Sequence, residues 1–149
     1  MRQAIEDGYK AALKAGDKRR TATLRAVNAA LKDKDIEARG QGKEAPGEVE
    51  VLALLQKMVK QREESLAVYE QAGRTDLATV EREEIAILNE FLPQALTEAE
   101  LEAAIRDAIT ATGAEGPKDM GKVIGHLKAG YPGRIDFSKA SGKVKAALG

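Results

Sequence analysis

The sequence predicts an all-α protein built as two helical subdomains. The strong helix formers Ala, Leu, Glu, Lys and Arg dominate its composition. Apolar residues recur at three- and four-residue spacings, and strand-like alternation is absent. Gly, Pro and capping residues punctuate the chain between these periodic segments. With 43% hydrophobic residues there is enough apolar material for a core. Aromatics are only 3% and Trp is absent, so that core must be aliphatic.

Seven helices follow in order. The first spans about Met1 to Ala15 and stops at Gly16. Asp17 caps the second, whose stripe Leu24, Val27, Leu31 runs toward Arg39 before Gly40 and Gly42 open a loop. Pro46 stands where helix starts tolerate proline. The third helix continues to about Ala72 with a broad apolar face that includes Val51, Leu55, Met58, Val59 and Leu66, and Gly73 stops it. Thr75 is the expected cap of the fourth, which carries Leu77, Val80, Glu84, Ile87, Leu88 and Phe91. The short connection predicts a long antiparallel helix pair. Pro93 ends the fourth helix, because the residue before proline avoids helical torsions.

This proline sets the boundary between subdomains at 1–93 and 94–149. Thr97-Glu98-Ala99-Glu100 is a capping box that opens a fifth helix lined by Leu101, Ile105 and Ile109 and closed by Gly113. Gly116-Pro117 opens a sixth, with Met120, Val123, Ile124 and Leu127, ended by Gly130 and Pro132. Asp136 caps a seventh carrying Phe137, Ala140, Val144 and Leu148. The C-terminal part is thus a small three-helix domain.

Cysteine is absent, which excludes disulfides, thiolate zinc sites and cysteine nucleophiles. No apolar run approaches the roughly 18 residues of a membrane span. The first fifteen residues carry acids and no long apolar stretch, so no signal peptide is visible and a cytoplasmic protein is expected. The formal net charge of +0 hides an uneven distribution. From Gly116 to Gly149 there are seven bases against two acids; from Pro93 to Glu115 there is one base against five acids. Such asymmetry bears on partners rather than on fold.

Catalytic templates fail in turn. The only histidine, His126, has no nucleophile-elbow sequence to serve. Di-iron bundles need Glu-x-x-His pairs, and Val123 stands three residues before His126. Neither Gly121-Lys122 nor Gly142-Lys143 follows the strand that a phosphate loop needs. Glu63 with Glu64, and Glu81 with Glu84, are read as solvated acidic faces, and His126 as a surface residue. No catalytic residue, cofactor or metal is expected.

Two basic clusters remain. Lys14, Lys18, Arg19, Arg20 and Arg25 lie at one helix end and the next helix start, with Lys18, Arg25 and Lys32 sharing a face. The second is the C-terminal set, whose candidate RNA-binding residues are Lys118, Lys122, Lys128, Tyr131, Arg134, Lys139 and Lys143. Gly121 and Gly125 each cost about 1 kcal/mol inside a helix relative to Ala, so their spacing points to close approach of another helix or a phosphate backbone. Tyr131 is placed to stack on a nucleotide base.

Several stretches resemble the YqeY-like proteins. They are Asp17-Lys18 with Thr23-Leu24-Arg25, Lys60-Gln61-Arg62-Glu63-Glu64-Ser65, and Ala72-Gly73-Arg74-Thr75-Asp76-Leu77. Further along come Glu81, Glu84-Ile85-Ala86-Ile87-Leu88, Phe91-Leu92-Pro93, Leu96, and Lys118-Asp119-Met120-Gly121-Lys122-Val123 with Gly125. The resemblance spans nearly the whole chain. Thr21, Ala22, Gly130 to Gly133 and Ser138 to Ser141 depart from it. It implies that the C-terminal part is similar to the tail domain of the GatB subunit of glutamine-dependent aminoacyl-tRNA amidotransferase, a carbon–nitrogen ligase whose tail helps hold tRNA. Gly121, Val123, Gly125, Gly133-Arg134 and Asp136 carry over, and they are structural or basic rather than catalytic. The expected function is a non-catalytic module that binds tRNA or assists a tRNA-charging or amidotransferase enzyme, with no role at a membrane. A protein-interaction module is the alternative. A third reading places an enzyme site in the groove by Gln61-Arg62-Glu63 and Glu81-Glu84.

Overall fold

A computed structural model describes residues 1–149. It is all-helical: α1 (Arg2–Ala15), α2 (Lys18–Gly40), α3 (Glu48–Gln71), α4 (Thr75–Asn89), α5 (Glu98–Thr112), α6 (Met120–Gly130) and α7 (Phe137–Leu148), with one 3₁₀ turn (Pro117–Asp119). No helix is long and apolar enough to cross a membrane. The chain divides into two compact units, Met1–Leu92 and Pro93–Gly149.

In the first unit, Gly16 ends α1 in the left-handed conformation at φ 70°, and the Asp17 N–H reaches back to the Ala12 carbonyl at 3.0 Å. The Asp17 side chain then caps α2 by accepting the Arg20 N–H at 3.0 Å. α2 ends at Gly40, one residue past Arg39, and Gly42 turns the loop beyond it at φ 68°, which suits glycine. The core is aliphatic as composition requires, with Ile5, Leu24, Val27, Val51, Leu55, Met58 and Leu88 closely packed. Gly8 has a packing reason that its sequence context did not advertise. A Cβ there would meet the Phe91 ring at 3.1 Å and Leu24 at 3.3 Å.

α3 and α4 form the long pair. Glu70 of α3 bonds Arg82 near the turn, and Arg62 bonds Glu84 farther from it, which is an antiparallel register. Gly73 turns the chain at φ 71°, and the Arg74 N–H donates to Tyr69 O at 2.9 Å. Thr75 is not the cap of α4. Arg74 occupies that position without a side-chain cap bond, and Thr75 is already helical. Asp76 in the first turn draws the Arg74 guanidinium onto itself at 3.1 and 3.2 Å, satisfying the dipole preference there. α4 also ends earlier than Pro93 demands. It stops at Asn89, and residues 90–92 turn by short-range bonds.

The second unit is held by its caps as much as by its small core. Thr97 Oγ1 accepts the Glu100 N–H, and Glu100 Oε1 accepts the Thr97 N–H, both at 3.1 Å, forming the capping box. Pro117 opens a 3₁₀ turn rather than α6 itself. The Asp119 carboxylate folds back to accept the Glu115 N–H at 3.0 Å, and α6 starts at Met120. Asp136 caps α7 by accepting from the Ser138 N–H at 3.0 Å and from its hydroxyl at 2.6 Å. The buried set is Ala104, Ile105, Ala108, Val123, Leu127, Ile135, Ala140 and Val144.

Leu88 is fully buried. Leu88→Ala is expected to cost about 2–5 kcal/mol, read as a lowered urea midpoint with little change in slope. Gly133 sits at φ 76°. Gly133→Ala is expected to destabilise by about 1–2 kcal/mol, the penalty of placing an L side chain in left-handed torsions, with thermal unfolding as the measurement.

Candidate nucleic-acid interface

The C-terminal bases fall into two groups once their surroundings are known. Arg134 is structural. Its Nε donates to the Gln94 carbonyl at 2.9 Å, its own carbonyl accepts the Leu96 N–H at 3.0 Å, and its N–H closes the turn onto Tyr131 O at 3.1 Å. It therefore stitches the segment entering α5 to the turn before α7. Lys143 donates to Glu98 across α7 and α5 at 3.1 Å. Lys128 lies over the Phe137 ring at 5.4 Å, a cation–π contact.

The remaining bases are available. Lys122 is 68% exposed and only loosely paired with Asp119 at 3.6 Å. Lys118, Lys139 and Lys145 are exposed and make no ion pair. Asp119 is held below the usual carboxylate range, first by the Glu115 N–H and also by Lys122 and Lys118. It stays ionised and offsets part of the local positive charge.

Gly121 and Gly125 do not serve helix packing. Nothing lies within 4 Å of a Cβ built at either. With Ala129 they recur every fourth residue, so they form one exposed strip along α6, roughly 12 Å long at 1.5 Å per residue. Lys122 and the exposed His126 flank it. Val123 and Leu127 point the opposite way and are completely buried. The strip is a smooth, side-chain-poor floor beside the Lys122 ammonium.

Tyr131 is not a free stacking platform. Its ring is half-buried and packs against the core of the second unit. Asp136 and Gly133 have structural roles, the one as a cap and the other in a left-handed turn.

The N-terminal basic cluster is largely consumed. Arg19 pairs with Glu83 at 3.0 Å and Arg20 with Glu90 at 2.6 Å, tying α2 to α4. Glu90 raises the Arg20 pKa through their hydrogen bond. Arg25 lies over the Tyr9 ring at 5.9 Å.

The Glu81 and Glu84 pair is a correction to the sequence reading. It is not a solvated face. Glu84 is 19% exposed and accepts Arg62 Nε at 2.7 Å, while Arg62 also donates to Met58 O at 3.1 Å. Glu81 has one carboxyl oxygen shut away from water with no hydrogen-bond partner. Burial pushes its carboxyl up, Glu84 adds to the effect, and Arg62 opposes it. A signal was present: Arg62 continues the Leu55, Met58, Val59 stripe, and Glu84 falls between Val80 and Ile87. Glu63 and Glu64 are exposed, as read. No group of three or more His, Asp or Glu side chains is arranged to hold a metal.

A groove of about 370 Å³ lies between the end of α2 and the start of α3. Leu31, Ala38, Pro46, Val51 and Leu54 supply apolar lining, with Lys43 among its charged residues.

The model of the Yqey-like proteins matches residues 2–148. The chain belongs to the YqeY family. It is 30% identical over 150 residues to "Altered inheritance of mitochondria protein 41, mitochondrial" of Lachancea thermotolerans, covering 97% of this chain and 76% of that one. The protein of the same name from Kluyveromyces lactis is 29% identical, with 97% and 74% covered. That of Pyrenophora tritici-repentis is 25% identical, with 97% and 79% covered.

Glu81→Gln tests the buried carboxyl. A carboxyl whose pKa is raised on folding contributes stability below its unfolded value and loses it as pH rises through the folded value. The variant is therefore expected to be more stable than the parent at neutral pH, with the difference vanishing toward pH 4. Urea melts across this range measure it, and an advantage that grows in acid would contradict the assignment.

Proposed function

We propose that this chain is a non-catalytic helical module that binds tRNA, or assists a tRNA-dependent amidotransferase, through the basic surface of its C-terminal unit. The observation that carries this reading is the set Lys118, Lys122, Lys139 and Lys145. These cations are exposed, and Lys122 alone has a loose ion-pair partner. The glycine strip of α6 lets a phosphate backbone approach beside Lys122. The similarity of this part to the amidotransferase tail domain supports tRNA as the ligand.

A measurement of tRNA binding against salt tests the reading. Each phosphate neutralised contributes about 0.9 to the slope of log K against log salt, so up to four lysines give a slope of roughly −2 to −4. The triple change Lys118→Glu, Lys122→Glu, Lys139→Glu is expected to weaken binding at least about tenfold and flatten that slope. Absence of binding at low salt, or a triple variant that binds as the parent does, would reject it.

The α2–α3 groove favours a second reading, a protein-interaction module. Leu31, Ala38, Pro46, Val51 and Leu54 give the groove an apolar lining that a partner's side chains can enter. On that reading a partner is captured after nuclease treatment, and Ala53→Glu at the groove lining abolishes the capture.

A further inference from the structure

We infer that the C-terminal unit takes double-stranded rather than single-stranded RNA, reading the paired backbone with lysines and leaving the bases unread; this rests on the RNA-binding function proposed above. Proteins that hold single strands or splayed loops rely on exposed flat side chains on which bases stack. The unit from Pro93 to Gly149 has two aromatic residues, Tyr131 and Phe137. Both are half-buried and packed against its core. The Phe137 ring also carries the Lys128 ammonium at 5.4 Å.

Arginine could replace an aromatic as a stacking plane, but the two arginines of this unit are poorly suited. Arg134 is bonded to the Gln94 carbonyl. Arg106 stands on α5 next to Asp107 and one turn from Glu102, on the acidic helix that repels phosphate. His126 is the one exposed ring near the lysines. A single imidazole cannot supply the succession of stacked bases that a single-strand groove provides.

What the surface does supply is point charge. Lysine ammonium groups meet phosphates without the planar fork that arginine uses to read base edges. A duplex presents one negative charge per roughly 1.7 Å of axis, and its stronger counterion condensation gives a slope of about 0.9 per phosphate, against about 0.7 for a single strand. A surface of lysines without stacking planes therefore favours the duplex on electrostatic grounds alone. The smooth strip of Gly121, Gly125 and Ala129 permits a bulky backbone to lie close to Lys122.

The experiment compares the full chain binding a 20-base-pair RNA duplex of mixed sequence with a 20-nucleotide unstructured single strand, across a salt series. The expected result is at least tenfold tighter binding to the duplex and little change when the duplex sequence is scrambled. Equal or tighter binding to the single strand, or a tenfold dependence on the duplex sequence, overturns the inference while leaving RNA binding standing. Failure to bind either RNA at low salt overturns both this inference and the function it rests on.

Discussion

The N-terminal unit depends on the pairing of α3 with α4. With almost no aromatic residues, the chain has only aliphatic stripes to bury, and a stripe on a single helix stabilises nothing until a second helix covers it. The left-handed glycine at position 73 folds α4 back on α3, and Leu55, Met58 and Val59 then face the Leu88 side with Ile5 and Leu24 completing the core. That same closure forces Arg62 and Glu84 together in a half-buried setting. Breaking such a pair from one side leaves a charge without its partner, which is more costly than the pair is stabilising. Glu81 is left as the odd carboxyl in a site with one guanidinium, so the hairpin carries a local electrostatic strain along with its apolar gain.

The C-terminal unit solves a different problem. Its core is small and partly alanine, so it gains less per buried residue than the first unit does. Specific backbone bonds make up part of the difference. The Thr97–Glu100 box, the Asp136 cap and the Arg134 bonds to Gln94 and Leu96 fix the helix ends that the core alone would leave loose. This is why a residue that looks in the sequence like part of a cationic binding set turns out to be a brace. Among the bases from Lys118 onward, those without a structural task are lysines.

Much of this architecture was legible in one dimension. Helix number, the capping residues Asp17, Thr97 and Asp136, the stop at Gly113 and the aliphatic core follow from local chemistry: a side chain that can reach a neighbouring N–H, or a glycine free to take positive φ. The errors are local as well. Arg74 takes the cap position and Thr75 is already helical, so α4 starts one residue earlier than the capping pattern predicts.

The sequence by itself determined that this protein is helical, aliphatic and charge-asymmetric, because these properties depend on residue types and their spacing along the chain. Only the tertiary structure decided which charges are available. Arg19, Arg20, Arg62 and Arg134 meet partners between about 20 and 70 positions away, and no spacing rule anticipates such encounters. It likewise decided that the Gly121–Gly125 strip faces open space and that Tyr131 lies against the core. A side chain's partner is set by packing in three dimensions, and so is the difference between a basic residue that binds and one that braces.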